Sequence, residues 1–178
     1  NDSNAIGPLA IAVPGTVSGI ETMLERYGTM KLRDVCRFAR DQAATGSPIG
    51  AALSLIMREN RDNSREKFTM FEPTGGVFLR RGKPLRLGQR FLIPNLASTL
   101  DAIVQNGARS FYDGKIAEQI VTYLEKNGAI LTQGDFAEYS TRIRKPITAT
   151  YRDYEIRGIP PPSSGGLTVI EILNIIEG

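Results

Sequence analysis

IPPPSSGGLTVIEILNIIEG, Ile159 to Gly178, is the stretch on which the reading of this chain turns. Prolines cannot donate to a β ladder, so Pro160, Pro161 and Pro162 end any strand before them. Ser163, Ser164, Gly165 and Gly166 then make a turn, with Ser163 or Ser164 placed to cap a helix. In that helix Val169, Ile170, Leu173 and Ile176 recur at helical spacing. Adding Leu167, Ile172 and Ile175 makes it apolar nearly all round, and such a helix is buried on most sides. The sequence stops two residues after Ile176. Another segment or chain is therefore expected to cover it.

Upstream lies the clearest strand signal. Ile147 to Tyr151 alternates and is rich in β-formers, Arg152-Asp153 suits a two-residue turn, and Tyr154 to Ile159 returns, which predicts an antiparallel hairpin. Before it the periodicity is helical. Val17, Ile20, Met23, Leu24 and Tyr27 define a helix with Pro14 in its first turn and Gly28 at its end, after a short strand or extended lead-in ending in LAIAV. Leu32, Val35, Cys36 and Ala39 define a second, stopped by Gly46 and Pro48, and Ile49 to Met57 a third. Arg58 to Lys67 reads as a helix end running into an exposed loop. Thr74 to Arg90 is punctuated by Gly75-Gly76, Gly82 and Gly88, which predicts a small hairpin turning near Gly82-Lys83. Helices return after Pro94 up to Gly107 and from Gly114 up to Gly128, with one turn between them. Thr132 is the expected N-cap of a short helix through Phe136 and Tyr139. The fold class is α+β, with residues 1–178 forming one α-rich lobe that carries a β-hairpin.

Composition excludes several functions. The chain of 178 residues has no histidine, so it cannot build a Ser-His-Asp or Cys-His triad or a His-ligated zinc site. Cys36 is the one cysteine, so no internal disulfide or cysteine-cluster metal site exists, and its helical position predicts a small buried core residue. No apolar run approaches the roughly 20 residues that span a bilayer. The net charge of +3, from 22 basic and 19 acidic residues, is that of a mixed solvated surface. Its two basic runs, Arg80-Arg81-Gly82-Lys83 and Arg142-Ile143-Arg144-Lys145, lack interleaved aromatics, so no nucleic-acid partner is expected. They could grip an acidic substrate such as a glutamyl carboxylate, or be ordinary surface charge.

The turn Ser163, Ser164, Gly165 and Gly166 is the candidate binding site. Helix N-termini present free N–H groups and a positive dipole end to a carboxylate or phosphate, and glycines allow close approach. The alternative is that the serines merely cap and the glycines merely turn. Val13 to Gly19 is a second loop-to-helix junction of small residues. Thr16 there has no base beside it and is not N-terminal, so the junction reads as packing. Asp34 with Asp41, and Glu118 with Glu125, could share helix faces but read as solvated surface. No residue is assigned a catalytic or metal-binding role.

Several runs, in order, resemble the large subunit of the γ-glutamyltranspeptidase family. They are AVPGTVSGIETMLERYGTM from Ala12, VCRFARDQAATGSPI from Val35, Pro84-Leu85 through Gly88, and Asn95 to Leu100. GARSFYDGKIAEQIV from Gly107, GAILTQGDFAEY from Gly128 and KPITATYRDYEIRGIPPPSSGG from Lys145 follow. The resemblance implies an αββα N-terminal-nucleophile hydrolase made as a self-cleaving precursor. A threonine heading a small subunit would attack the γ-glutamyl amide of glutathione or a related donor, with its own amino group as base. The acyl-enzyme would pass to water, an amino acid or a peptide, and no cofactor would be required.

By the same resemblance, the nucleophilic threonine, the oxyanion glycines and a small-subunit serine pair lie beyond Gly178. An arginine for the substrate α-carboxylate lies before Asn1. The chain is then an internal piece of the large subunit, inactive alone, whose partners are the rest of that subunit and the small subunit. The expected compartment is periplasmic, secreted or cell-surface. A sister activity (cephalosporin acylase or polyglutamate capsule enzyme) and a non-enzymatic scaffold or binding lobe are the alternatives.

Overall fold

Short helices joined by glycine- and proline-bearing turns make up most of the computed structural model, which describes residues 5–58 and 68–178. Contacts divide the chain into two units, Asn1–Ser140 and Thr141–Gly178. The expected polar loop after Arg58 lies outside the described residues.

In the first unit a 3-10 turn, Pro8–Ala10, and extended residues lead into α1, Thr16–Tyr27. No strand forms at LAIAV, because a strand needs a pairing partner and none meets it among the described residues. The N-cap of α1 is Gly15, so Pro14 stands outside the helix, not in its first turn. Helix α2, Leu32–Thr45, ends at Gly46, and β1, Ser47–Pro48, leads to α3, Ala51–Arg58.

The region from Thr74 to Arg90 differs from its sequence reading at its start. Glu72–Phe78 is a helix, α4, with an acidic residue and a proline in its first turn. These start signals outweigh Gly75-Gly76, whose helical penalty is about 1 kcal/mol each. The expected hairpin follows as β2, Leu79–Arg80, and β3, Lys83–Pro84. Its turn is Arg81-Gly82, one residue earlier than expected. Strand β4, Arg90–Phe91, pairs antiparallel with β1, a link of distant segments that no local pattern signals.

Helix α5, Pro94–Asn106, packs along α2 and buries Ala97 and Ile103. Then come α6, Arg109–Tyr112, α7, Lys115–Lys126, and α8, Gln133–Ala137. Two cores form. Tyr112, Ala117, Val121 and Phe136 make one, flanked by Val13 and Val17 of the α1 entry. Ile49, Met57 and Leu85 make the other, roofed by Phe68, Phe78 and Phe91. Cys36 is half-buried in α2 and belongs to neither, a correction to its core assignment. It lies in the row of half-buried α2 positions with Leu32 and Arg40, and desolvation pushes its thiol up, away from the reactive thiolate.

In the second unit β5, Ile147–Tyr151, pairs with β6, Tyr154–Gly158, from Ile147 opposite Gly158 to Tyr151 opposite Tyr154. Helix α9, Gly165–Glu177, packs on both strands. Its half-buried residues Gly166, Ile170 and Leu173 fall on one side, at spacings of four and three. The Glu177 carboxylate accepts the Arg152 N–H at the hairpin turn.

Candidate functional site

The Ser163 to Gly166 turn is held from both ends. Gly158 closes β6, and the Gly166 backbone lies directly against it. A Cβ on Gly166 would fall 2.5 Å from the Ile159 carbonyl oxygen and 2.8 Å from its nitrogen, and a Cβ on Gly158 would fall 2.9 Å from the Gly166 Cα. Both glycines therefore serve a backbone-to-backbone contact between hairpin and helix. Within the proline run, the Pro161 carbonyl accepts a 2.6 Å bond from Arg144 Nη1. That places Arg144, from the second basic run, in a structural role.

Ser164 is the N-cap residue of α9, but its hydroxyl makes no cap bond. Its backbone is already helical, at φ −79° and ψ −23°. Capping side chains work from the extended region, where the oxygen can reach back to the third N–H. The first intrahelical bond, Thr168 N–H to the Ser164 carbonyl, is 2.9 Å. The N–H groups of Gly165, Gly166 and Leu167 precede it without intrahelical acceptors. The turn is exposed through Gly165 and brings together Ser163, Ser164, Gly165 and Gly166 as the sequence places them. It carries no titratable side chain, so it can offer hydrogen bonds but neither a base nor an activated nucleophile.

The Val13 to Gly19 junction is a packing site. The Tyr112 hydroxyl donates to the Pro14 carbonyl at 2.8 Å and accepts from the Ser18 N–H at 3.1 Å. Burial pushes Tyr112 up from its ordinary phenol range, which keeps it the neutral donor this bridge needs. Tyr139 stacks on Tyr112 at 5.3 Å and 11°. A Cβ on Gly15 would lie 2.0 Å from the Tyr139 hydroxyl, so any larger residue would have to displace the Tyr139 side chain. Thr16 itself is exposed. Tyr112 is not among the residues that periodicity singles out, and Tyr139 enters the sequence reading only as part of the short helix after Thr132.

Asp34 and Asp41 pair with cations, not with one another. Asp34 lies 3.6 Å from Arg33 and 3.9 Å from Arg37, while Arg40 bridges Asp41 at 3.2 Å and Asp101 at 3.4 Å. Glu118 and Glu125 are exposed on α7. Among the described residues no group of three or more Cys, Asp or Glu side chains could hold a metal, and no helix is long and apolar enough to cross a membrane. The first basic run sits on the β2–β3 hairpin and, with Arg86, lines an open recess.

The sequence profile described as Gamma-glutamyltranspeptidase matches residues 1–178. The chain is 39% identical over 169 residues to the glutathione hydrolase proenzyme of Escherichia coli (strain K12), covering 95% of this chain and 29% of that protein. It is 36% identical over 176 residues to the acylase ACY 1 proenzyme of Pseudomonas sp. (strain SE83), covering 98% and 31%. Among solved structures, Helicobacter pylori gamma-glutamyltranspeptidase superposes with a TM-score of 0.90 at 38% identity, over 99% of this chain and 50% of that one. The chain thus spans roughly 30% of the length of these curated relatives.

Proposed function

The chain belongs to the γ-glutamyltranspeptidase family, and on that premise we propose that it is part of the large subunit of an enzyme that transfers γ-glutamyl groups. Its fold is part of the N-terminal-nucleophile hydrolase architecture, as its likeness to the Helicobacter enzyme at a TM-score of 0.90 indicates. The donor is glutathione or a related γ-glutamyl amide, and the acceptor is water, an amino acid or a peptide. The reaction runs through a threonine acyl-enzyme, whose nucleophile is freed by self-cleavage of a precursor and lies outside residues 1–178. These residues alone are inactive. They act by shaping the lobe on which the rest of the large subunit and the small subunit assemble. The protein works in the periplasm, outside the cell or at its surface.

The observation that carries this reading is the match along the whole of residues 1–178. Helix α9 supports it physically. Leu167, Val169, Ile172, Ile175 and Ile176 are all exposed here. Contiguous apolar surface of that kind marks an interaction site. In the assembled enzyme it is closed by further chain.

The test is the full-length protein. Intact-mass and N-terminal analysis should find a second chain beginning with threonine, and a γ-glutamyl anilide should be hydrolysed. Mutating that threonine to alanine should abolish both processing and turnover. An unprocessed, inactive full-length protein would reject the enzyme in favour of a scaffold. The 36% identity to an acylase proenzyme favours a second reading, an acylase. It predicts turnover of a cephalosporin side-chain amide in preference to the γ-glutamyl anilide.

A further inference from the structure

We propose that the recess beside the β2–β3 hairpin binds a compact, multiply charged anion of the pyrophosphate or polycarboxylate type. From Pro73 to Leu100 the sequence has no Asp or Glu but has five cations, Arg80, Arg81, Lys83, Arg86 and Arg90. The hairpin sets Arg80 opposite Lys83, and the turn holds Arg81 at the tip with φ 53°. The resulting recess, about 620 Å³, is lined by Arg80, Arg81, Lys83, Pro84, Arg86 and Gln89. An adjoining hollow of about 580 Å³ shares Lys83, Pro84 and Arg86 and adds Arg58. Among the described residues, six line the first recess; four of them are cations and none is an acid.

The frame is built and the charges on it are unspent. Leu85, between the cations, is buried in the Met57 core. The Arg86–Gln89 turn is closed by the Arg86 N–H donating to Gln89 Oε1 at 2.8 Å and the Gln89 N–H donating to the Arg86 carbonyl at 3.0 Å. Ile49 clamps this turn, donating to the Gln89 carbonyl and accepting from the Gly88 N–H, both at 2.9 Å. Arg90, by contrast, is consumed by structure, since its guanidinium donates to the Thr45 and Gly46 carbonyls. Arg58, Arg80, Arg81, Lys83 and Arg86 make no ion pair and no side-chain hydrogen bond among the described residues.

Like charges gathered in a hollow raise one another's energy, and a concave wall focuses their field outward. A ligand that relieves this must carry several negative charges in a small volume. Guanidinium forks pair bidentately with phosphate and carboxylate oxygens. A neutral or singly charged ligand leaves most of the donors unmatched.

The experiment is isothermal titration of the full-length protein with inorganic pyrophosphate, then with citrate, at two ionic strengths. The expected result is saturable pyrophosphate binding that weakens with salt. The paired change Arg80→Ala and Arg81→Ala, and separately Arg86→Ala, each lowers affinity by about tenfold or more, one charged contact's worth. Arg26→Ala, on exposed α1 surface, leaves it unchanged. Citrate competing for the same sites assigns the recess to shared polyanion chemistry, and citrate failing to compete narrows it to phosphate. No saturable binding overturns the proposal. So does binding that survives both variants, or that Arg26→Ala weakens equally. Because heat is read without substrate, the result is independent of whether the protein turns over a γ-glutamyl donor.

Discussion

Helices α8 and α9 are both entered through a hydroxyl residue and both carry apolar side chains, yet they end in opposite conditions. Short α8 is closed by its own surroundings. Thr132 enters it from the extended region, at φ −116° and ψ 167°, and forms a capping box with Asp135. Its Phe136 is 0% exposed. Longer α9 has no side-chain cap and no buried residue, and Ile175 is 78% exposed. Apolar content therefore states how much a helix must bury. It does not state whether this stretch of chain supplies the cover.

The sharpest way to probe that contrast is to remove the buried side chain. Phe136→Ala in the full-length protein should cost about 3–5 kcal/mol, because Phe136 fills the centre of the Tyr112 core and its loss leaves a cavity. Chemical denaturation, followed by a probe in this unit, reads it. A cost below about 1 kcal/mol would mean that the core is not the closed body described here. The matching change in the other helix, Ile175→Ala, breaks the comparison from the opposite side. If further chain covers α9 in the whole protein, it should cost about 2 kcal/mol or more. A cost within about 0.5 kcal/mol would leave α9 as exposed there as it is here, and would remove the physical support for the large-subunit reading.

A smaller effect separates the two roles weighed for the Ser163 to Gly166 turn. Gly166→Ala sets a methyl group against the Ile159 backbone, which cannot swing away as a side chain can. The expected loss is about 1–3 kcal/mol. At Gly165 the nearest atom to an added Cβ is Ser163 Oγ at 3.9 Å. Gly165→Ala should therefore fall within about 0.5 kcal/mol. Equal losses at both positions would show that the contact between Gly158 and Gly166 does not decide the turn.

What could be read from the sequence follows the range of each interaction. Helices α1, α2, α5, α7 and α9 and the β5–β6 hairpin lie where periodicity and turn residues put them, since those signals act over a few residues. The pairing of Ser47 with Phe91 was not legible, because it is set by two segments meeting through the Ile49 and Leu85 core. Pro14, expected in the first turn, lies two residues before the first helical residue of α1. At the helix start Tyr112, 98 residues on, holds the Pro14 carbonyl, and the Tyr139 side chain lies against Gly15, contacts that no local pattern signals. The candidate turn was found in its place, but its serine was read as a cap because the residue type allows it. What decides against the cap is the helical backbone angle of Ser164, which residue type alone does not set. In the basic run the hairpin was legible, whereas the arrival of Arg86 and Arg58 at its side depends on packing.

The smallest expected effect concerns the cap that does form. The Asp135 carboxylate accepts from the Thr132 N–H at 2.8 Å and from its hydroxyl at 2.7 Å. The Thr132 hydroxyl bond, then its backbone bond, holds Asp135 below its ordinary 3.8. A depressed carboxylate favours the folded state only while it is ionised. Its contribution is complete above the unfolded value of 3.8 and is lost as pH falls through the lower folded one. Asp135→Asn should accordingly reduce the acid-side decline of the melting temperature, measured between roughly pH 5 and pH 2, and leave its neutral-pH plateau nearly flat. In α9 the corresponding change, Ser164→Ala, removes a hydroxyl that makes no cap bond, so its pH profile should overlay the parent's. If Asp135→Asn left the acid limb as steep as before, the capping box would not be what closes α8, and the contrast with α9 would rest on burial alone.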